Sequence, residues 1–199
     1  MNELTAGKRV RAIVIGGSAG AIDALNVIVP LLPEGFSVPL VLALHLPAAS
    51  PSHVPRLLMN KSALKVKEPD DKEPMVPGHF YVAPPNYHLL LEKGGCFSLS
   101  VDNQVHYSRP SIDVLFESAA DAFGDHVVGL LLSGANEDGA RGLLRIKEAG
   151  GLTIVQAPET ALVPVMPGAG LRVAGPTHVL SAVDIGALLA SCEPVRVAK

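Results

Sequence analysis

The 199-residue chain contains no tryptophan, and its five phenylalanines and three tyrosines bring the aromatic share to only 4%. Base-stacking platforms are therefore scarce. Charge is sparse as well: charged residues make up 18%, and 16 basic side chains face 19 acidic ones for a formal net charge of −3. No sequence-wide positive field favours a nucleic-acid partner, and none is expected. Apolar runs stop short of the roughly 18–20 residues of a membrane helix, and the opening MNELTAGKRVRAIVIGG lacks a signal-cleavage pattern. No membrane insertion is expected. The two cysteines, Cys96 and Cys192, have neither metal-ligand spacing nor the density of a secreted disulfide scaffold, so reduced packing thiols in a cytoplasmic protein are expected.

What is present is apolar mass punctuated by turns: 48% hydrophobic residues, 19 glycines and 17 prolines. Val10 to Ile15 is rich in β-branched residues and stops at Gly16-Gly17. A helical pattern through Ile22, Leu25, Ile28 and Val29 follows. Val38 to Leu44 reads as a strand buried on both faces, and Pro51, Ser52, Val54, Leu57 and Leu58 suggest a short helix. Leu64 to Val105 changes character and is expected to be an antiparallel excursion, with Tyr87–Glu92 and Cys96–Val101 forming a hairpin about Gly94-Gly95. Pro110 and Ser111 open a helix that closes near Gly124; Val127 to Leu132 is a strand; Ala140 to Gly150 is a helix; Leu152 to Val155 is a strand again. This alternation predicts one α/β domain over residues 1–199, with its core at about 10–190. The expected architecture is a doubly wound, mainly parallel sheet flanked by helices, a Rossmann-like three-layer sandwich with a small antiparallel hairpin.

Ligands of open α/β sheets bind beyond the carboxyl ends of the strands, and three of these ends are chemically distinctive. Gly16-Gly17-Ser18-Ala19-Gly20 follows the first strand, His45-Leu46-Pro47 the second, and Ser133-Gly134-Ala135-Asn136-Glu137-Asp138-Gly139 a later one. In Gly-x-Ser-x-Gly a sharp turn exposes Ser18 toward a helix amino end, His45 can take its proton, and Asp138 can fix the tautomer. Singly, each has a plainer reading: a tight turn, a solvated histidine, a helix-start acid with Asn136 as cap. Their joint placement at strand ends favours a nucleophilic triad. A P-loop is excluded by the missing Gly-Lys-Ser/Thr, a dinucleotide fingerprint by Ser18 standing where glycine is needed, and a zinc hydrolase by the absence of His-Glu-x-x-His spacing. An α/β-hydrolase order is formally met by Ser18, Asp138 and His178, but too little chain precedes Ser18 to supply that fold's oxyanion loop.

From about Ala12 to Leu189 the chain resembles the catalytic domain of the CheB family, the chemotaxis-type protein-glutamate methylesterases. The resemblance rests on GGSAG at Gly16–Gly20, HLP at His45–Pro47, RPSIDVLF at Arg109–Phe116, the Asp138-Gly139-Ala140 turn and Met166-Pro167. It implies a serine hydrolase that removes methyl groups from glutamyl methyl esters of chemoreceptors and releases methanol, in some members with glutamine deamidation. No cofactor or metal is implied. By motif position Ser18 is the nucleophile, His45 the general base and acid, and Asp138 the orienting acid; amides at Ala19 and Ala135 are candidate oxyanion donors.

Three departures from the family pattern stand out. The amino-terminal receiver domain common in the family is not expected here; Ala135-Asn136 replaces the usual Met-Gly, with Asn136 expected to tolerate positive φ; and Val165 stands where glycine is common. Asp113 is expected to be a structural first-turn acid, and Arg109 either steers an acidic partner segment or is a solvated charge. The expected partner is a methylated chemoreceptor or related signalling protein. The alternatives are a catalytically weak receptor-binding or scaffold module and an esterase for small-molecule esters.

Overall fold

The structure is a computed structural model that describes residues 9–45 and 53–195. Leu46, Pro47, Pro51 and Ser52, which the sequence placed in a motif and at a helix start, lie outside the described residues. The elements in chain order are β1 (Arg9–Val10), β2 (Ala12–Gly17), α1 (Ala21–Ile28), β3 (Leu40–Leu44), α2 (Val54–Met59), β4 (Lys65–Lys67), β5 (His79–Val82), β6 (His88–Leu91) and β7 (Phe97–Ser100). They continue with α3 (Ile112–Phe123), β8 (Val127–Leu131), α4 (Ala140–Glu148), β9 (Leu152–Gln156), α5 (Val165–Ala174), β10 (His178–Leu180), α6 (Ala182–Ala190) and β11 (Glu193–Pro194).

Seven strands form one parallel sheet in the order β10-β9-β8-β2-β3-β5-β4. The unbroken apolar runs follow from burial on both faces. In β2, Ile13 and Ile15 pack with Leu25 and Ile28 of α1 and Ile185 and Leu189 of α6, while Ala12 and Val14 join Phe116 of α3 and Leu143 of α4 on the opposite face. The doubly wound three-layer architecture is therefore present as expected. The antiparallel part is narrower than the Leu64–Val105 segment to which the sequence assigned it. β4 and β5 are parallel members of the main sheet, and among the described strands only β6 and β7 pair antiparallel. The cause is burial: Phe80, Tyr81 and Val82 are fully covered on both faces, a context that alternation in the flanking residues does not reveal.

From β2 the chain moves to β3 on one side and on to edge strand β4 before returning to β5 between them, and from β8 it runs outward on the other side through β9 and β10. The boundary between β2 and β8 is thus the topological switch point, where the crevice of such sheets opens. His178 lies on β10, three strands from β2. At about 4.8 Å per strand this separation removes it from any site built on Ser18.

Candidate active site

Strand register brings the nucleophile and base candidates together. Gly17 pairs with Leu44 across β2 and β3, so Ser18 and His45 are the next residues on adjacent strand ends, and the His45 amide donates to the Gly17 carbonyl at 3.4 Å. Ser18 is half-buried. Among the described residues its hydroxyl has no hydrogen-bond partner, so no bond closes between the Ser18 and His45 side chains. Such contacts commonly tighten only when substrate binds. The left-handed residue of this turn is Gly20, at φ 81, rather than Ser18. A side chain at Gly20 would meet Leu162 Cβ at 2.6 Å and Ser133 Oγ at 2.7 Å, which is why the turn needs glycine there.

Asp138 arrives from the loop after β8 and is completely buried. Its Oδ2 accepts from His45 Nε2 at 2.8 Å and from the Ile112 amide at 2.7 Å; its Oδ1 accepts from Ser111 Oγ at 2.9 Å and the Asp113 amide at 3.0 Å. The carboxylate therefore sits on the amino end of α3, where unpaired amides and the helix dipole favour negative charge. Burial alone raises its pKa, but the bonds from His45, Ile112 and Asp113 outweigh it and hold the group below the usual carboxylate range. With Nε2 committed to Asp138, Nδ1 is the His45 nitrogen left for a reacting partner. The left-handed residue of this loop is Gly139, at φ 90, and not Asn136; the Asn136 side-chain oxygen instead accepts from the Asp138 amide at 3.2 Å.

Of the amides around the crevice, that of Ser18 donates to the Ser133 carbonyl at 2.9 Å and that of Gly134 to the Val163 carbonyl at 3.1 Å. Among the described residues no backbone bond uses the amides of Ala19 or Ala135, and both residues are exposed. Free, exposed amides of this kind are what a developing oxyanion requires.

Three supporting residues were not singled out from sequence. Ser111, foreseen only as a helix-opening residue, also holds Asp138. Buried His88 accepts from the Ser111 amide on Nδ1 at 3.1 Å and donates from Nε2 to the Asn103 carbonyl at 3.0 Å, fixing both its tautomer and the start of α3. Ser133 Oγ contacts the Ala19 carbonyl at 2.7 Å and the Val163 carbonyl at 3.2 Å, and accepts from the Val163 amide at 2.9 Å. It ties the Ser18 turn to the segment leading into α5. Ser133→Ala is expected to cost about 1–3 kcal/mol through buried polar groups left unpaired, read as a lower urea midpoint. An unchanged midpoint would contradict the tie.

Arg109 is not a freely solvated charge. Its guanidinium clamps Asn86 Oδ1 at 3.1 and 2.7 Å and the Asp102 carbonyl at 2.8 Å, locking the hairpin against the start of α3. Asp113 is structural, as expected: its Oδ1 accepts from the Gly142 amide at 2.7 Å, joining α3 to α4. Burial pushes its pKa up, and the charge of Asp138 adds to that. Potential ligand atoms of His106, Asp113 and Asp138 lie within 4.8 Å of one another. Both Asp138 oxygens already accept two bonds each, however, so a cation there would have to displace one of them.

The CheB methylesterase family model matches residues 13–189. The chain belongs to the CheB methylesterase family. It is 48% identical over 177 residues to a putative protein-glutamate methylesterase/protein-glutamine glutaminase of Leptospira interrogans, covering 89% of this chain and 92% of that protein. A protein-glutamate methylesterase/protein-glutamine glutaminase of Carboxydothermus hydrogenoformans is 39% identical over 173 residues; the match spans 84% of this chain but 51% of that longer protein. The crystal structure of the Thermotoga maritima CheB methylesterase catalytic domain superimposes with a TM-score of 0.84 at 32% identity, over 91% of this chain and 97% of that one. Family membership assigns carboxylic ester hydrolysis to this chain. Among the described residues no helix is long and apolar enough to cross a membrane.

Proposed function

We propose that the chain is one catalytic domain that hydrolyses glutamyl methyl esters, with Ser18 as nucleophile, His45 as general base and acid, and Asp138 as the orienting acid. The observation that carries this reading is the 2.8 Å bond between His45 Nε2 and buried Asp138, made at the same carboxyl end of the sheet as Ser18 in a chain of this family. Ser18 Oγ attacks the ester carbonyl carbon while His45 Nδ1 takes its proton. The oxygen gains negative charge and is met by the Ala19 and Ala135 amides. His45 then gives the proton to the departing methoxide, and methanol leaves an acyl-enzyme. Water, deprotonated by His45, attacks that acyl group and releases the glutamate carboxylate and free Ser18. A glutamine side chain would form the same acyl-enzyme with ammonia leaving, in keeping with the double name of the relatives. The natural substrate in this reading is a methylated chemoreceptor or related signalling protein in the cytoplasm.

The test is methanol release from a glutamate-methylated chemoreceptor fragment. Ser18→Ala is expected to lower release by at least about a thousandfold while remaining folded, because it removes the nucleophile and leaves only binding and oxyanion stabilisation. Wild-type release from the Ser18→Ala protein would rule out this assignment.

A further inference from the structure

Next to the loop that carries Asp138, a hollow of about 650 Å³ opens between His106–Ser108, Asn136–Glu137, and Val165 and Arg172 of α5. Two of its lining residues directly follow Ala135, and Asn136 holds the Asp138 amide, so it borders the site proposed above. A methyl-esterified glutamate side chain is much smaller than this space. What remains suits the polypeptide on either side of the ester.

The wall formed by residues 105–108 is built in an unusual way. Val105 and Ser108 exchange both backbone bonds, at 3.2 and 2.9 Å, around His106 at φ 49 and Tyr107 at φ 60. This is the pattern of a type I′ turn, whose two central positions favour Asn-Gly because both need positive φ. Here a histidine and a tyrosine occupy them. His106 is anchored inward, its Nε2 3.3 Å from Asp113 Oδ2, on the same helix end that grips Asp138. Tyr107 is thrown outward and is 97% exposed, while Val165 across the hollow is 49% exposed. The turn fixes the Tyr107 backbone, a tyrosine side chain has only two torsions to order on contact, and such residues dominate binding energy at interfaces.

We propose that Tyr107, held by the strained His106-Tyr107 turn, is a specificity-determining residue that engages the polypeptide flanking the esterified glutamate. The proposal rests on the hydrolase reading. Its test compares methanol release from the methylated chemoreceptor fragment with release from the capped amino acid N-acetyl-glutamate γ-methyl ester α-amide. Tyr107→Ala is expected to raise KM for the fragment about tenfold with kcat kept within about twofold, and its loss of kcat/KM on the fragment should exceed that on the capped ester by about the same tenfold. Tyr107→Phe should restore KM, because the contact is made by the ring. Tyr107→Gly, which suits the positive φ of the turn and keeps the His106 anchor, should unfold at a temperature no lower than wild type yet show the same KM defect. Equal losses on both substrates, or no loss on the fragment, would overturn the proposal. Wild-type release from neither ester overturns the hydrolase reading instead. Direct titration of the fragment then decides on Tyr107 separately: about tenfold weaker binding by Tyr107→Ala supports the surface, and equal binding by wild type and Tyr107→Ala removes it.

Discussion

Asp138→Asn is expected to lower methyl-ester turnover by about 10⁴-fold at neutral pH, with the protein still folded. The reason lies in the four donors that converge on the carboxylate, from His45, Ser111, Ile112 and Asp113. An asparagine amide offers one acceptor oxygen and one NH₂ group, so in either orientation its NH₂ faces a backbone N–H and leaves that donor unpaired. If the NH₂ also faces His45, it donates to Nε2 and drives the ring proton onto Nδ1, the atom that must accept the Ser18 proton. The variant should also lose stability, by roughly 1–3 kcal/mol at pH 7, because a buried donor goes unsatisfied. That second loss has a pH signature with a definite sign. Asp138 is held below the ordinary carboxylate range in the folded protein, so its charge contributes stability above the unfolded value of about 3.9, and that contribution fades as pH falls through the folded pKa. Denaturation curves of wild type and variant should therefore converge below about pH 4. A gap of constant size down to low pH would mean that Asp138 is not held ionised by its partners.

Gly139→Ala is expected to be among the most destabilising single-methyl additions in the molecule, at roughly 2–5 kcal/mol. Two independent costs combine. The residue sits at φ 90, outside the range that side-chain-bearing residues adopt readily, which costs about 1–2 kcal/mol. The added carbon would stand 2.5 Å from Ile112 Cγ2 and 2.7 Å from Leu131 Cδ1, and forcing these apart costs about 1–3 kcal/mol more. Ile112 is also the residue whose amide binds Asp138, so the repacking reaches the candidate site. Guanidinium unfolding measures the first effect and kcat the second. A midpoint within experimental error of wild type would show that the loop shifts freely, contrary to this packing.

Much of this was legible before any coordinates. Gly20 and Gly139 were visible as turn glycines, and Ser18, His45 and Asp138 each stood just past an apolar run, which is where an open α/β sheet presents its chemistry. The hairpin about Gly94-Gly95 formed as the alternation implied, with Leu89 opposite Leu99. Other features had no local signal. Phe80 to Val82 looked antiparallel because burial on both faces depends on what packs above and below a strand, not on its own sequence. Arg109 looked like a surface charge, since the carbonyl and amide oxygens that bind it come from Asn86 and Asp102, elsewhere in the chain.

The sequence by itself determined the doubly wound α/β plan and pointed to the three candidate triad residues, because apolar periodicity and turn glycines are local properties that survive in one dimension; the family showed in the resemblance of its short motifs. Only the tertiary structure decided how those residues relate. Strand register set Ser18 beside His45, the amino end of α3 gathered three donors around Asp138, and the His106–Asp113 contact held Tyr107 out over the hollow. Each of these joins residues that only folding brings together, and electrostatic and hydrogen-bond energies depend on distances that sequence order does not contain.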